Sequence, residues 1–169
     1  EMSDDHADQN LKIAAMQREY RESAELVVKL RGDLRLMRMR VSSLSGHCDA
    51  EVNSLVTNWW NKSSKVLTLN ETHRLVWVES RCDPFASDGK CFGLMQLDPR
   101  YVLPGVALDQ ARERLTDPEF NVQSGMELLD DLAVKYRRDK AKILAAWNWG
   151  ETRMKHGVVT GEFARKILR

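Results

Sequence analysis

The sequence lacks a charge excess of either sign, a long apolar run and an even set of cysteines, and its first 46 residues hold no proline. Its 26 Lys and Arg face 25 Asp and Glu, leaving a net charge of +1 at pH 7. That balance argues against an acidic disordered chain and against a nucleic-acid binder, and suits a small neutral substrate or an uncharged polymer. The longest stretch free of Asp, Glu, Lys and Arg, Val52 to Asn61, is half of the ~20 residues a membrane helix needs, so no bilayer span is expected. Three cysteines, Cys48, Cys82 and Cys91, exclude a fully paired disulfide framework within one chain. The chain opens on Glu1 rather than Met, and a trimmed upstream segment, a signal peptide or an anchor, is expected.

What is present falls into two regions. All four prolines, five tryptophans and four phenylalanines follow Gly46, whereas residues 1–46 have Tyr20 as their one aromatic ring. After an acidic opening (Glu1, Asp4, Asp5, Asp8) that suits the positive end of a helix dipole, apolar residues recur every seven positions. One row is Ile13, Tyr20, Val27, Leu34, Val41; the other is Met16, Ser23, Leu30, Met37, Leu44. Residues 1–46 are therefore expected to be an amphipathic helix, either a coiled coil with a second copy or partner, or a helix folded back on the rest of the chain. Gly32 costs such a helix about 1 kcal/mol relative to Ala. Lys29, Arg31, Arg35, Arg38 and Arg40 against Asp33 read as a solvated basic face.

Residues 49–169 read as a second domain of short helices around an irregular middle, a mainly α fold with a minor β element. Helices are expected over Asp49 to Asn61, from a capping site at Leu69-Asn70-Glu71 to about Ser80, after the capping box Thr116-Asp117-Pro118-Glu119, over Ala141 to Trp149 with a stop at Gly150, and from about Gly161. Gly89, Gly93 and three prolines between Cys82 and Pro104 predict loops or a small hairpin.

The residue that stands out chemically is Glu79, at the end of the apolar helix Leu75-Val76-Trp77-Val78. Apolar burial and the negative end of a helix dipole both oppose ionisation there, so its pKa is expected to rise, as a general acid near neutral pH requires. Arg81 opposes this if it turns inward, with Asp83 a nearer competitor for it. His73 and His156 have no companions at metal-ligand spacing, so no metal site and no cofactor are expected.

Glu79-Ser80-Arg81, Asp83-Pro84, Ala86, and Gly93-Leu94-Met95-Gln96-Leu97 with Pro99 resemble the sequence of the soluble lytic transglycosylase family, also called goose-type lysozyme-like. Asn121-Val122-Gln123-Ser124-Gly125, Ala145-Ala146-Trp147-Asn148-Trp149-Gly150 and Phe163-Ala164-Arg165-Lys166-Ile167 are similar to that family's later motifs, in order and at suitable spacing. The resemblance implies a lysozyme-like fold for residues 49–169. It also implies cleavage of the β-1,4 bond between N-acetylmuramic acid and N-acetylglucosamine in peptidoglycan. One carboxyl group suffices in that chemistry, because the substrate's own 6-hydroxyl is the nucleophile and leaves a 1,6-anhydro product. Glu79 would be the catalytic acid and base, with Ser80, Gly93, Met95, Gln96, Trp147 and Asn148 binding substrate. Gly93 would admit the glycan to the backbone, and Met95 and Gln96 would line the cleft. Asn148 would bond an N-acetyl group, buttress Ser80 or satisfy a helix end.

Two departures from the family matter. Trp147 replaces a usual Tyr, so orientation of Glu79 is expected to fall to Gln96 or a water. Trp149 replaces a small residue and would narrow the groove or add a sugar platform. Trp59, Trp60 and Trp77 are expected in the core. The wall substrate implies an extracytoplasmic, oxidising compartment, where Cys82 and Cys91, flanking the loop beside Glu79, are expected to pair and Cys48 to stay free or pair between chains. The alternative is that Cys82 fills an apolar position where the family has Phe.

In the first region, Leu30-Arg31-Gly32-Asp33-Leu34 and Arg38-Met39-Arg40-Val41 resemble the inner-membrane spanin subunit of phage lysis systems, which implies a periplasmic coiled coil on an upstream membrane anchor and a phage lysis or tail protein as source. Two other functions stay open: a hydrolase whose second carboxylate is Asp83, Asp88 or Asp98, and an inactive wall-binding module.

Overall fold

A computed structural model describes the backbone of residues 2–45, 47–150, 153–154 and 161–169, and the side chains of all of these except residues 2–11 and 38–45. Glu1 and His156, and the side chains of Asp4, Asp5, Asp8, Arg38, Met39, Arg40, Val41 and Leu44, lie outside the described residues. The chain divides into two compact units, Glu1–Met37 and Arg38–Arg169.

The first unit belongs to one helix, α1 (Met2–Ser45). Every side chain from 12 to 37 is exposed, and the seven-residue rows put Ile13, Met16, Tyr20, Val27, Leu30, Leu34 and Met37 at 47–78% exposure. Leu26, Val28 and Leu36 add exposed apolar surface off those rows. Among the described residues no helix is long and apolar enough to cross a membrane.

The second unit is built from α2 (Ala50–Lys62), α3 (Leu69–Ser80), α4 (Pro99–Val102), α5 (Leu108–Leu115), α6 (Pro118–Lys135), α7 (Lys140–Trp149) and α8 (Glu162–Leu168). The starts of α2, α3, α4, α6 and α7 follow from side chains that satisfy free N–H groups of the first turn. Asp49 accepts from the Val52 N–H, and Asp139 from that of Lys142. At α3 the cap is Thr68, just ahead of the Leu69-Asn70-Glu71 site, and it forms a capping box: Thr68 accepts from the Glu71 N–H at 3.2 Å, and Glu71 accepts from the Thr68 N–H at 2.6 Å. At α6 the cap is Asp117, since Pro118 occupies the first helical position; the Thr116 hydroxyl donates back to the Glu113 carbonyl instead.

The long helix α6 packs on α2, α5 and α7, while α8 closes over α3 and α7. Val56, Leu75, Val76, Leu94, Met95, Val122, Ile143, Leu144 and Ile167 fill the space between them at 0% exposure. Trp59, Trp60 and Trp77 are half-buried against this core. The indole of Trp59 donates to exposed Glu119, keeping its polar edge outward, and that of Trp60 donates to the carbonyl of the buried Leu67. Between α3 and α4 the chain forms the small hairpin, with single antiparallel bridges joining Ser87 to Phe92 and Phe92 to Leu97.

The disulfide differs from the sequence expectation. Cys48 pairs with Cys82, their Cα atoms 5.4 Å apart, and Cys91 is free. Arg81 and Cys82 both take left-handed backbone (φ 55° and 64°) where α3 ends, which turns Cys82 into the core beside the start of α2. Cys91 stays half-buried on the hairpin.

Candidate active site

Glu79 lies in the last turn of α3, and the backbone immediately after it is tightly locked. The Arg81 N–H closes onto the Trp77 carbonyl at 3.0 Å. Ser80 is buried; its hydroxyl donates to the Val76 carbonyl and accepts from the Cys82 N–H, both at 3.1 Å. Ser80, expected to bind substrate, thus fastens the helix end through its hydroxyl. The guanidinium of Arg81 lies over the Trp77 ring at 4.7 Å.

The carboxyl of Glu79 meets a group from the far end of the sequence. The indole Nε1–H of Trp147, on α7, donates to Glu79 Oε1 at 2.7 Å. Burial pushes the Glu79 pKa up to about 7, the Trp147 hydrogen bond works against that rise, and the charge of Asp88 adds to it. The sequence placed orientation of this carboxyl with Gln96 or a water; the structure gives it to the indole. Gln96 instead folds back, its amide donating to the Ala86 and Gly93 carbonyls at 2.9 and 2.8 Å.

The hairpin beside Glu79 is held by one amide that sequence reading left without a role. Asn121 is 0% exposed on α6; its Nδ2 donates to the Phe92 and Leu115 carbonyls, and its Oδ1 accepts from the Met95 N–H, at 2.8–2.9 Å. An asparagine among Val122, Gly125 and Met126 on an apolar helix face is the sign of such a satisfied buried amide. Its closeness explains Gly93. At φ +80°, a Cβ there would stand 2.2 Å from the Leu115 carbonyl oxygen and 2.3 Å from Asn121 Nδ2, so packing against Leu115 and α6 already requires the glycine. Met95 is likewise core, not cleft lining: it is 0% exposed, and a Cβ on Gly125 would meet its sulfur at 2.3 Å.

Trp147 is half-buried, Asn148 is exposed beside it, and the Ser80 hydroxyl has partners other than Asn148. Trp149 is half-buried, with Arg153 5.9 Å over its ring. The three aspartates weighed as second carboxylates have structural occupations. Asp83 is buried and accepts from the Phe85 N–H, Asp88 accepts from the Lys90 and Cys91 N–H groups at 2.8 Å, and Asp98 caps α4 and pairs with Arg100. His73, on α3, has Nε2 3.5 Å from the hydroxyl oxygen of Thr57 on α2. Burial, and then His47, hold its pKa below the usual histidine range. Among the described residues no group of His, Cys, Asp and Glu is placed to hold a metal ion.

Packed helices around one half-buried, hydrogen-bonded glutamate at a helix end make this a lysozyme-like domain. The family model for the transglycosylase SLT domain matches residues 60–165, and the chain belongs to that family. The crystal structure of the 70 kDa soluble lytic transglycosylase of Escherichia coli is similar in fold, with a TM-score of 0.51 and 22% identity, over 68% of this chain and 19% of that one. The chain thus spans about a fifth of that protein's length. Comparison with curated protein sequences gives no match.

Proposed function

We propose that this chain cleaves the β-1,4 bond between N-acetylmuramic acid and N-acetylglucosamine in peptidoglycan as a lytic transglycosylase, with Glu79 as its only acid–base group. The observation that carries this reading is the Glu79 carboxyl, half-buried at the end of α3 with a pKa of about 7, while Asp83, Asp88 and Asp98 are tied to backbone N–H groups. A carboxyl that holds its proton near neutral pH can protonate the leaving glycosidic oxygen. The muramic acid 6-hydroxyl then attacks C1 and returns its proton to Glu79. The bond to the leaving sugar breaks, the C1–O6 bond forms, and no water is consumed. The attacking group is carried on the reacting sugar, so its high effective concentration replaces a second carboxylate.

The Cys48–Cys82 disulfide supports an oxidising, extracytoplasmic setting, where peptidoglycan is found. The exposed heptad rows of α1 support pairing with a second copy, because a lone helix cannot bury such a face.

Mass spectrometry of muropeptides released from purified wall tests the reaction. Anhydro products, lighter by one water than those of a hydrolase and without a new reducing end, are expected, and Glu79→Gln should lower their release by at least ~10²–10⁴-fold. Hydrated reducing products, with activity lost on changing Asp83, Asp88 or Asp98 to Asn, would place the chain among two-carboxylate hydrolases. Intact wall binding without any product would make it a binding module.

A further inference from the structure

We infer that Trp147 is a positioning residue that divides the work of the Glu79 carboxyl: its indole N–H holds Oε1 as a permanent acceptor, and Oε2 alone carries and exchanges the catalytic proton. The inference rests on the transglycosylase reading only for the use made of that proton. The geometry itself is independent of it.

An indole nitrogen donates one hydrogen bond and accepts none. The oxygen facing it across 2.7 Å must therefore offer a lone pair in both protonation states of the acid. In a protonated carboxyl the carbonyl oxygen is the strong acceptor and the hydroxyl oxygen the donor, so the donor-only neighbour disfavours a proton on Oε1. Such a bond is also stronger to the carboxylate than to the acid. A tyrosine hydroxyl at the same place would differ in kind, since it can turn and accept, leaving the proton free to sit on either oxygen. The Trp147 ring is packed against the core on α7, which aims Nε1.

The other groups acting on Glu79 do not provide this discrimination. Asp88, on the hairpin, opposes ionisation by its charge alone. Cys91, on the same hairpin, has its thiol pushed up to about 11 and stays neutral in the working range. Burial penalises the carboxylate without distinguishing its oxygens. Trp147 is the group that favours the ionised form and does so through one named atom. Glu79 then gives its proton from Oε2 and receives one there, with no turn of the carboxyl between the two halves of the reaction.

The test is nuclear magnetic resonance of the full chain, following the Trp147 indole N–H and the Glu79 carboxyl carbon from pH 4 to 9. Assignments come from Trp147→Phe and Glu79→Gln. The indole resonance should titrate with the Glu79 midpoint, remain shifted like a hydrogen-bonded N–H at both ends of the range, and stop titrating in Glu79→Gln. In Trp147→Phe the carboxyl midpoint should rise by about 1 on the pH scale, as expected for loss of a charge-assisted hydrogen bond, and Trp147→Tyr should recover part of it. A flat indole titration, a bond lost below the midpoint, or a midpoint unmoved or lowered in Trp147→Phe would overturn the inference. The wild-type and Glu79→Gln spectra decide the matter even if Trp147→Phe does not fold.

Wall cleavage gives an independent arm. Positioning predicts a basic limb displaced to higher pH in Trp147→Phe with kcat lowered and KM little changed. A raised KM on an unmoved limb would instead make the indole a sugar contact and sink the proposal. If the spectra behave as expected but no wall is cut, the positioning role stands and the functional reading falls.

Discussion

Glu79→Gln should make the protein more stable at alkaline pH while removing its activity. In the folded chain the carboxyl titrates at about 7, against 4.5 for an unstrained glutamate. Between those values the folded state holds a proton that the unfolded state has released, so stability falls as pH rises. The full contribution of the neutral acid is present below pH 4.5 and is lost once pH has passed 7. With 1.36 kcal/mol for each step on the pH scale, the loss amounts to about 3 kcal/mol. Glutamine keeps the shape and still accepts from the Trp147 indole, but it has no charge to bury. Urea unfolding of both proteins at intervals from pH 4 to 9 reads the difference directly. The two should have similar midpoints near pH 4.5, and by pH 8 the variant should be the more stable by about 3 kcal/mol. A difference that does not change with pH, or a variant that is the less stable at pH 8, would refute the reasoning that burial raises this pKa.

Three further outcomes follow from the packing. Alkylation of the intact protein without reductant should label Cys91 alone, and all three cysteines after reduction and unfolding; replacing Cys48 and Cys82 by Ser should cost about 3–4 kcal/mol in urea unfolding, on chain-entropy grounds for a bridge spanning 34 residues. Gly93→Ala should lower stability by about 2–4 kcal/mol, because its Cβ would meet Leu115 and Asn121 at positive φ, and unfolding within 0.5 kcal/mol of wild type would show that α6 does not constrain the hairpin. In sedimentation the full chain should be a dimer and a chain beginning at His47 a monomer; two monomers at equal concentration would remove α1 self-pairing.

The positions of α1, α2, α3, α6, α7 and α8 were legible because they depend on local chemistry, whereas α4, in the segment whose prolines predict loop, and α5 were not expected. Asp49, Pro118 and Gly150 mark their boundaries by capping, fixed φ and a positive φ, none of which needs a distant partner. Even so, Thr68 capped α3 from just ahead of the Leu69-Asn70-Glu71 site and Asp117 replaced Thr116 at α6, since the choice between neighbouring polar residues depends on where the preceding chain arrives. Glu79 was recognisable from the apolar run before it and the motifs around it, and burial does raise its pKa.

Which side chains surround that glutamate was a different matter. The sequence by itself determined the long heptad helix, five of the short helices in order, the minor hairpin and the candidate acid, all set by periodicity, caps and local composition; that the heptad rows are exposed and that α4 and α5 are helical came from the structure. Only the tertiary structure decided that Trp147 reaches Glu79 across 68 positions, that Cys82 finds Cys48 rather than Cys91, and that Asn121 packs against Gly93. It also withdrew Ser80 and Met95 from the surface. The physical reason is common to these cases. A side chain's partner is fixed by how helices distant in sequence pack, and polar groups brought together in that packing must satisfy one another once water is excluded.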